Sequence, residues 1–444
     1  MKLLIKNGQV VDPANNLNAV LDILVQDGKI VKVGKNLKNN VDSTIDATDK
    51  IVMPGIVDMH VHLREPGRED KETVASGTNA ALKGGITSVL AMPNTHPAID
   101  NKDSIQLLNN IIKKTSHTNV FVCGAITKER KGRELSDITL LKQEGALAIS
   151  DDGNSVDNAQ LFLEALKIAK KENILVICHC EDVSLSAKGV VNLGITSTRM
   201  GLRGISRESE YTRVARDIEL AERTNTQIHI AHVSCRESVE IIASAKKRGI
   251  KVTCETAPHY FTLSEEAIWG YDANLKINPP LRGKDDAEVI KQGLKSDVID
   301  VIASDHAPHT ENEKDIEFDR AEFGAIGLET ELAVCVTELI HKGVLDWPGL
   351  VQKLCLNPSK ILRINKGALG EGCDADITIV SPNQEWLVER NIFVSKSKNS
   401  MFLGKTLKGI VDYTILKDKV AYQKTPERKN SNEVSCKSRV GKAC

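Results

Sequence analysis

From Ile56 to Pro308 the chain repeats one pattern, and that pattern leaves few folds open. Apolar runs of strand length recur eight times: IVDMHVH, TSVLAMPN, NVFVCGAIT, ALAISDDG, ILVICHCE, QIHIAHVS, KVTCETAPH and VIDVIASDHAP. Helical stretches separate them, among them DSIQLLNNIIKKT, NAQLFLEALKIAKKE, ESEYTRVARDIELAERT and ESVEIIASAKKRG. In the third of these, Val214, Ile218 and Ala221 form a narrow apolar stripe at helical spacing. Strands that are apolar throughout and separated by helices pair in parallel and are covered on the outside. Eight consecutive units predict an α/β fold, a (β/α)8 TIM-type barrel rather than an open sheet.

The two ends of the chain read differently. LLIKNGQVVD, AVLDILVQDGKIVKVG and STIDATDKIV are short strand-like runs broken by Asn-Gly and Asp-Gly turn signals, and Met53-Pro54-Gly55 punctuates their end. Beyond the eighth run, helical character from about Glu329 to Arg363 gives way to the Gly-rich GALGEGCDAD and to the strand-like ADITIVSP and KGIVDYTILKDKVAYQ. The expected organisation is a barrel over 54–364, with 1–53 and 365–423 joined in one small β domain built from both chain ends. The polar tail, 424–444, is expected to be disordered. The charged stretch HTENEKDIEFDRAEFG after the eighth strand reads either as a lid over a site or as a surface loop.

Charge and cysteine usage narrow the class of function. A net charge of -1 over 444 residues, with the signs interspersed, gives no reason to expect nucleic acid or membrane partners. No apolar run is long enough to span a bilayer, and MKLLIKNGQVVDP lacks the features of a signal peptide. The ten cysteines are scattered without a compact framework, as reduced thiols of a cytoplasmic protein would be. Cys178 and Cys180 flank His179, but alternation puts them on the opposite face of the strand.

The chemistry lies at the strand ends. His60 and His62 are two apart in the first strand and project together, with Asp58 and Arg64 in the same row. Neutral imidazoles suit zinc, although an isolated His-x-His is as often a pair of ordinary histidines on a solvated face. The other polar residues decide the matter. Asn94 ends the second strand, Asp151-Asp152 the fourth, His179 the fifth, His232 the sixth and Asp305 the eighth. Side chains at these ends converge on one mouth of a barrel. Four histidines and two aspartates there suffice for two metal ions, with Asp152 placed to bridge them through its two oxygens. Two nearby cations lower the pKa of a water held between them and polarise a carbonyl. Asp305 can take the proton from the attacking water and return it to a leaving nitrogen. That is hydrolysis of an amide or cyclic imide, or its reversal as ring closure.

VDMHVHLREPG, AMPNT, SDDG, HCED, INPPLR, DHAPHT and FGAIGLET together resemble the amidohydrolase superfamily, and most closely the bacterial class I dihydroorotases, from Met1 to about Gln423. The resemblance implies a zinc enzyme of pyrimidine (UMP) synthesis that interconverts N-carbamoyl-L-aspartate and (S)-dihydroorotate. It implies that His60, His62, Asp152, His179, His232 and Asp305 hold two zinc ions per subunit, with Asp305 also the catalytic acid/base. His62, Arg64, Asn94, Asn278 and His309, with the backbone of Phe323 and Gly324, would bind substrate. Of Asp151 and Asp152, the family pattern favours the second as the bridge. Many relatives bridge with a carboxylated lysine from the fourth strand. ALAISDDG contains no lysine and Lys142 precedes it, so the expected subtype is aspartate-bridged.

Two rivals stand beside this reading. A hydantoinase, dihydropyrimidinase or allantoinase shares the barrel and the metals, but usually depends on the lysine bridge and has less need of a cation at Arg64. A non-catalytic scaffold for aspartate carbamoyltransferase would show eroded metal ligands, and none of the positions named is eroded. The sequence identifies no surface for that transferase and no oligomeric state.

Overall fold

The computed structural model describes residues 2–38 and 40–425. The chain opens with β1 (Lys2–Asp12), β2 (Leu17–Gln26), β3 (Lys29–Gly34), β4 (Ser43–Asp46) and β5 (Ile51–Pro54). After Gly55 it enters the barrel: β6 (Ile56–Val61), β7 (Ile86–Ala91), β8 (Asn119–Gly124), β9 (Ala146–Ile149) and β10 (Leu175–Cys178). A small parallel pair, β11 (Val191–Asn192) and β12 (Gly204–Ile205), lies in the following loop. Then come β13 (Ile228–Ile230), β14 (Val252–Thr256) and β15 (Val301–Ile302).

β6–β10 and β13–β15 stand side by side in chain order, each parallel to the next. The ring closes just past its last strand, where Val61 bridges His306 and the His62 N–H donates to the His306 carbonyl at 2.9 Å. The fold is therefore the expected eight-stranded α/β barrel. Its strands are apolar on both faces because one face packs inside the ring and the other against helices.

The helices form where the sequence supplies caps and a single apolar stripe. Thr73 with Ser76, and Asn101 with Ser104, make reciprocal capping boxes at the starts of Val74–Lys83 and Lys102–Thr115. Helix Glu208–Thr224 buries Val214, Ile218 and Ala221, the stripe read from the sequence. Full burial of a valine or isoleucine contributes about 1.5–3 kcal/mol, which is what holds such a polar helix on the barrel.

β16 (Ile377–Leu387), β17 (Thr406–Leu416) and β18 (Lys419–Gln423) complete the second sheet, in the order β18-β17-β16-β5-β1-β2-β3 with β4 beside β1. Both chain ends thus build one β domain. Its own core includes Leu3, Ile23, Val25, Val52, Ile377 and Ile415. Asp376 fastens it to the barrel: its carbonyl accepts the Gly55 N–H at 2.8 Å and its carboxylate accepts Asn119 Nδ2 at 3.1 Å.

The charged stretch after β15 is built into the mouth rather than left loose. It carries the short helix Glu311–Lys314, and the buried Lys314 Nζ donates to the carbonyls of Lys276 (3.3 Å), Glu322 (2.7 Å) and Gly324 (2.9 Å). The tail expected to be disordered lies, from 426 on, outside the described residues; Lys424 N–H donates to the Asp412 carbonyl at 2.8 Å. Among the described residues no helix is long and apolar enough to cross a membrane.

Candidate active site

At the C-terminal end of the barrel a cavity of about 300 Å³ opens among the strand-end residues. Every residue expected at the site lines it except His60, which is fully buried beneath it. The side chains arrive there by different local routes. His60 lies inside β6 and His62 one residue past it, on the same face as expected from alternation. His179 directly follows β10, while His232 and Asp305 come two and three residues after β13 and β15. His232 (φ 33°), Asp305 (φ 48°) and Arg64 (φ 63°) all have left-handed backbones, rare for non-glycine residues. Such conformations cost about 1–3 kcal/mol each and persist where the surroundings enforce them, often at functional sites.

Asp152 is the hub. Its Oδ1 lies 3.2 Å from His60 Nε2, 3.5 Å from His179 Nδ1 and 3.5 Å from His232 Nε2, and its Oδ2 lies 3.5 Å from His62 Nε2. Asp305 Oδ1 stands 3.5 Å from His62 Nε2 and 3.8 Å from His60 Nε2. Asp151 turns away: its carboxylate accepts the Thr127 N–H at 3.0 Å and the Thr127 hydroxyl. Asp58, in the same strand row as His60, is directed beneath the cavity, where its Oδ1 accepts the N–H groups of His60 and Ser304.

The imidazoles are oriented by neighbours. Glu255 Oε1 lies 2.5 Å from His60 Nδ1, and its Oε2 lies 3.2 Å from His229 Nε2. Asn94 Oδ1 accepts from His62 Nδ1 at 2.8 Å, leaving the Asn94 amide nitrogen as a donor. Glu181 Oε2 is 3.3 Å from His179 Nε2 and accepts Asn278 Nδ2 at 2.8 Å. Burial disfavours the charged imidazolium of His179, but Asp152 and Glu181 outweigh it and raise the group to about 9. Burial likewise opposes a charged Asp152, yet His60, His179 and His232 around it hold the carboxyl well below the usual range. His60, Asp152 and His232, and separately His60, His62 and Asp305, bring ligand atoms within 4.8 Å of one another, close enough to hold a metal ion.

The cationic side of the cavity is equally specific. Arg64 donates from Nε to the Pro308 carbonyl at 3.1 Å, and its Nη2 lies 3.3 Å from His309 Nε2. It forms no ion pair among the described residues. Glu65 and Glu69, its surface alternatives, instead accept the N–H groups of Val74 and Gly67. Burial lowers Arg64 only to about 10, so it stays charged at neutral pH. Beside it the Phe323 carbonyl accepts from the same His309 Nε2 at 2.8 Å, and the Gly324 N–H is committed to the Lys276 carbonyl at 2.9 Å. Gly324 has φ 134°, and a Cβ there would meet Ala307 Cβ at 2.7 Å, so only glycine fits. Cys180 Sγ points instead toward Asp217 Oδ2, 3.6 Å away.

Four participants were not singled out from the sequence: Glu255, Glu181, Lys71 and Arg130. Glu181 stands in the HCED motif and Glu255 in the seventh strand run, so both lie in segments that were recognised. Arg130 Nη1 donates to the Asp152 carbonyl at 2.6 Å, and Lys71 Nζ lies 3.0 Å from His309 Nδ1.

Comparison with known proteins shows the family and the fold. A family model described as dihydro-orotase-like matches residues 49–238. The chain is 51% identical over 416 residues to a dihydroorotase of Elusimicrobium minutum, covering 94% of this chain and 96% of that one. It is 49% identical over 425 residues to a dihydroorotase of Geobacter metallireducens, covering 96% of this chain and 100% of that one. Among solved structures, an L-hydantoinase from Arthrobacter aurescens superposes with a TM-score of 0.85 at 24% identity, over 95% of this chain and 97% of that one. A dihydropyrimidinase from Brevibacillus agri gives 0.83 at 22% identity, over 95% and 96%. At such identity the structural likeness speaks to the fold.

Proposed function

The chain belongs to the dihydroorotase family, and from that premise we propose that it interconverts N-carbamoyl-L-aspartate and (S)-dihydroorotate in pyrimidine synthesis, with zinc as its metal. One observation carries the reading of the metal centre. His60 Nε2 and Asp152 Oδ1, 3.2 Å apart and buried, make no hydrogen bond to each other or to any other group among the described residues. Such orphaned groups cost free energy unless something else satisfies them. A divalent cation does so, and imidazole with carboxylate is a donor set that zinc accepts. The residues fit two ions: His60, His62 and Asp305 would hold one, His179 and His232 the other, with Asp152 shared between them.

When bound, the metal supplies Lewis acidity, polarising the amide carbonyl and lowering the pKa of a nearby water. The chain's own residues do the rest. Asp305 accepts the proton of the attacking water at its carboxylate and delivers it to the departing ring nitrogen; in ring closure the order reverses. Arg64, Asn94 and His309 provide donors for the substrate's carboxylate, and a guanidinium fork matches that group with two parallel hydrogen bonds. Asn278, His62 and the Phe323–Gly324 backbone bound the rest of the substrate. Among these backbone groups the Phe323 N–H is the one that forms no internal hydrogen bond among the described residues, which favours it as the donor.

A hydantoinase-type site is less well supported. Lys142 belongs to helix Ile138–Gln143 outside the barrel, and β9 contains no lysine to bridge metals. Such a site would also give Arg64 no anion to bind. Barrel residues 54–364 carry the chemistry in this reading, with 1–53 and 365–423 as the supporting β domain. Every group it uses comes from this one chain, so neither a second subunit nor aspartate carbamoyltransferase is needed to complete the site. The described cysteines are free, which suits a cytoplasmic enzyme. The test is turnover of dihydroorotate by zinc-loaded protein, its loss on chelation and its return with zinc. Full activity in metal-free protein would refute the metal assignment.

A further inference from the structure

Lys71 lies in the loop between β6 and helix Val74–Lys83, and it is only 5% exposed. Its Nζ lies 3.0 Å from His309 Nδ1 and 3.0 Å from Glu313 Oε1. On the other edge of the same imidazole, Nε2 lies 2.8 Å from the Phe323 carbonyl and 3.3 Å from Arg64 Nη2. An ammonium has three donors and no acceptor. Nδ1 therefore accepts from Lys71 at 3.0 Å, and the ring proton sits on Nε2, where the Phe323 carbonyl at 2.8 Å takes it; Arg64 Nη2, also only a donor and farther off at 3.3 Å, then makes no hydrogen bond to Nε2. The Phe323 carbonyl, which can only accept, requires the same tautomer. Burial, with Arg64, Lys71 and Lys314 nearby, holds His309 well below its ordinary value, so the ring is neutral.

We propose that Lys71 is a positioning residue that locks His309 in its Nε2–H tautomer, so that the proton that Nε2 gives to the Phe323 carbonyl at 2.8 Å is there to be shared with the carboxylate of the substrate beside Arg64. The inference rests on the dihydroorotase reading and adds a specificity determinant to it. A neutral histidine can take either tautomer, and which one is present is set by the partner of the other nitrogen. Here a competing partner is close by: Glu313 Oε2 lies 3.4 Å from Nδ1. Without the ammonium, that carboxylate would draw the proton to Nδ1 and leave Nε2 an acceptor facing an anion. A role for Lys71 as a mere clasp between loops is less demanding, because Arg68 already pairs with Glu313 at 2.7 Å.

The experiment uses the zinc-loaded enzyme with 15N-labelled histidine, the His309 signals being assigned by comparison with His309→Gln. The unmodified protein should show a protonated Nε2 and a bare Nδ1. A protonated Nδ1 there would overturn the proposal, whether or not any variant folds. In Lys71→Met the proton should appear on Nδ1. The KM for dihydroorotate should then rise about tenfold or more, the scale of one lost charge-assisted hydrogen bond, with kcat nearly unchanged and dihydrouracil little affected. Lys71→Arg, which keeps a cationic donor, should recover most of the KM. An unchanged tautomer in Lys71→Met, a fall in kcat at constant KM, or equal losses on both substrates would each reduce Lys71 to a structural part. Absence of dihydroorotate turnover by the unmodified enzyme would instead sink the parent reading.

Discussion

Glu255 Oε1 stands 2.5 Å from His60 Nδ1, while Nε2 on the far side of that imidazole faces Asp152 and has no hydrogen-bond partner among the described residues. A carboxylate behind a histidine fixes the ring's tautomer and raises the basicity of its other nitrogen. In this chain it aims His60 Nε2 at Asp152, 3.2 Å away beneath the cavity. Glu255→Gln keeps the shape and removes the charge. Partners of this kind typically contribute about 10–100-fold in metal affinity. Competition against a chromogenic chelator should show a loss of that order, and unchanged affinity would detach Glu255 from the metal centre.

In the proposed metal centre Asp152 would be the bridge, with no need of added carbon dioxide. Its two oxygens face different histidines, Oδ1 toward His60, His179 and His232 and Oδ2 toward His62. Reconstitution of metal-free protein should therefore proceed equally well with and without bicarbonate. A bicarbonate requirement, or a carboxylated lysine found by mass spectrometry, would contradict the aspartate bridge.

Asp305→Asn separates proton transfer from metal binding. The amide retains size and one ligand oxygen but cannot carry the proton. General acid/base groups contribute about 10²–10⁴-fold in rate, and a loss of at least that order is expected with most of the metal retained. Near-normal kcat would reassign the proton. His309 would then be the remaining candidate, since His306 is turned away, with Nε2 3.3 Å from Glu72 and Nδ1 accepting the Gly327 N–H.

Arg64→Met addresses substrate charge. Truncating one side of a desolvated charged pair costs about 2–5 kcal/mol. The kcat/KM for dihydroorotate should drop by at least about 30-fold with metal content unchanged, while any activity on neutral cyclic amides falls much less. Equal losses on charged and neutral substrates would remove Arg64 from the pocket.

Much of this was legible in the sequence because the barrel announces itself locally. Each of the strands β6, β10, β13 and β15 is a short apolar run, and a polar residue follows its end by one to three positions. Hence His62, His179, His232 and Asp305 could be named before any geometry. What escaped was decided elsewhere. In β14 both faces are buried, so alternation does not mark Glu255 as facing His60. Lys71 sits in REPGREDKE, a run of charges without periodicity. Its partners His309 and Glu313 lie more than two hundred residues away, and only the closed barrel brings them together. The preference for Asp152 over Asp151 comes from the family pattern alone; its physical reason is Thr127, whose hydroxyl and N–H occupy the first carboxylate.

The most direct test offers zinc-loaded protein dihydroorotate, dihydrouracil, hydantoin and allantoin side by side and compares kcat/KM. Dihydroorotate carries the ring carboxylate that the proposed function assigns to Arg64, which forms no ion pair among the described residues; the other three rings carry none. A site that buries a charged group for its substrate discriminates strongly against analogues that leave the group unpaired. The account predicts that dihydroorotate exceeds each of the others by at least about 10³-fold, on the scale seen when buried polar groups lose their partner. Comparable or higher kcat/KM on any of the uncharged rings would contradict it.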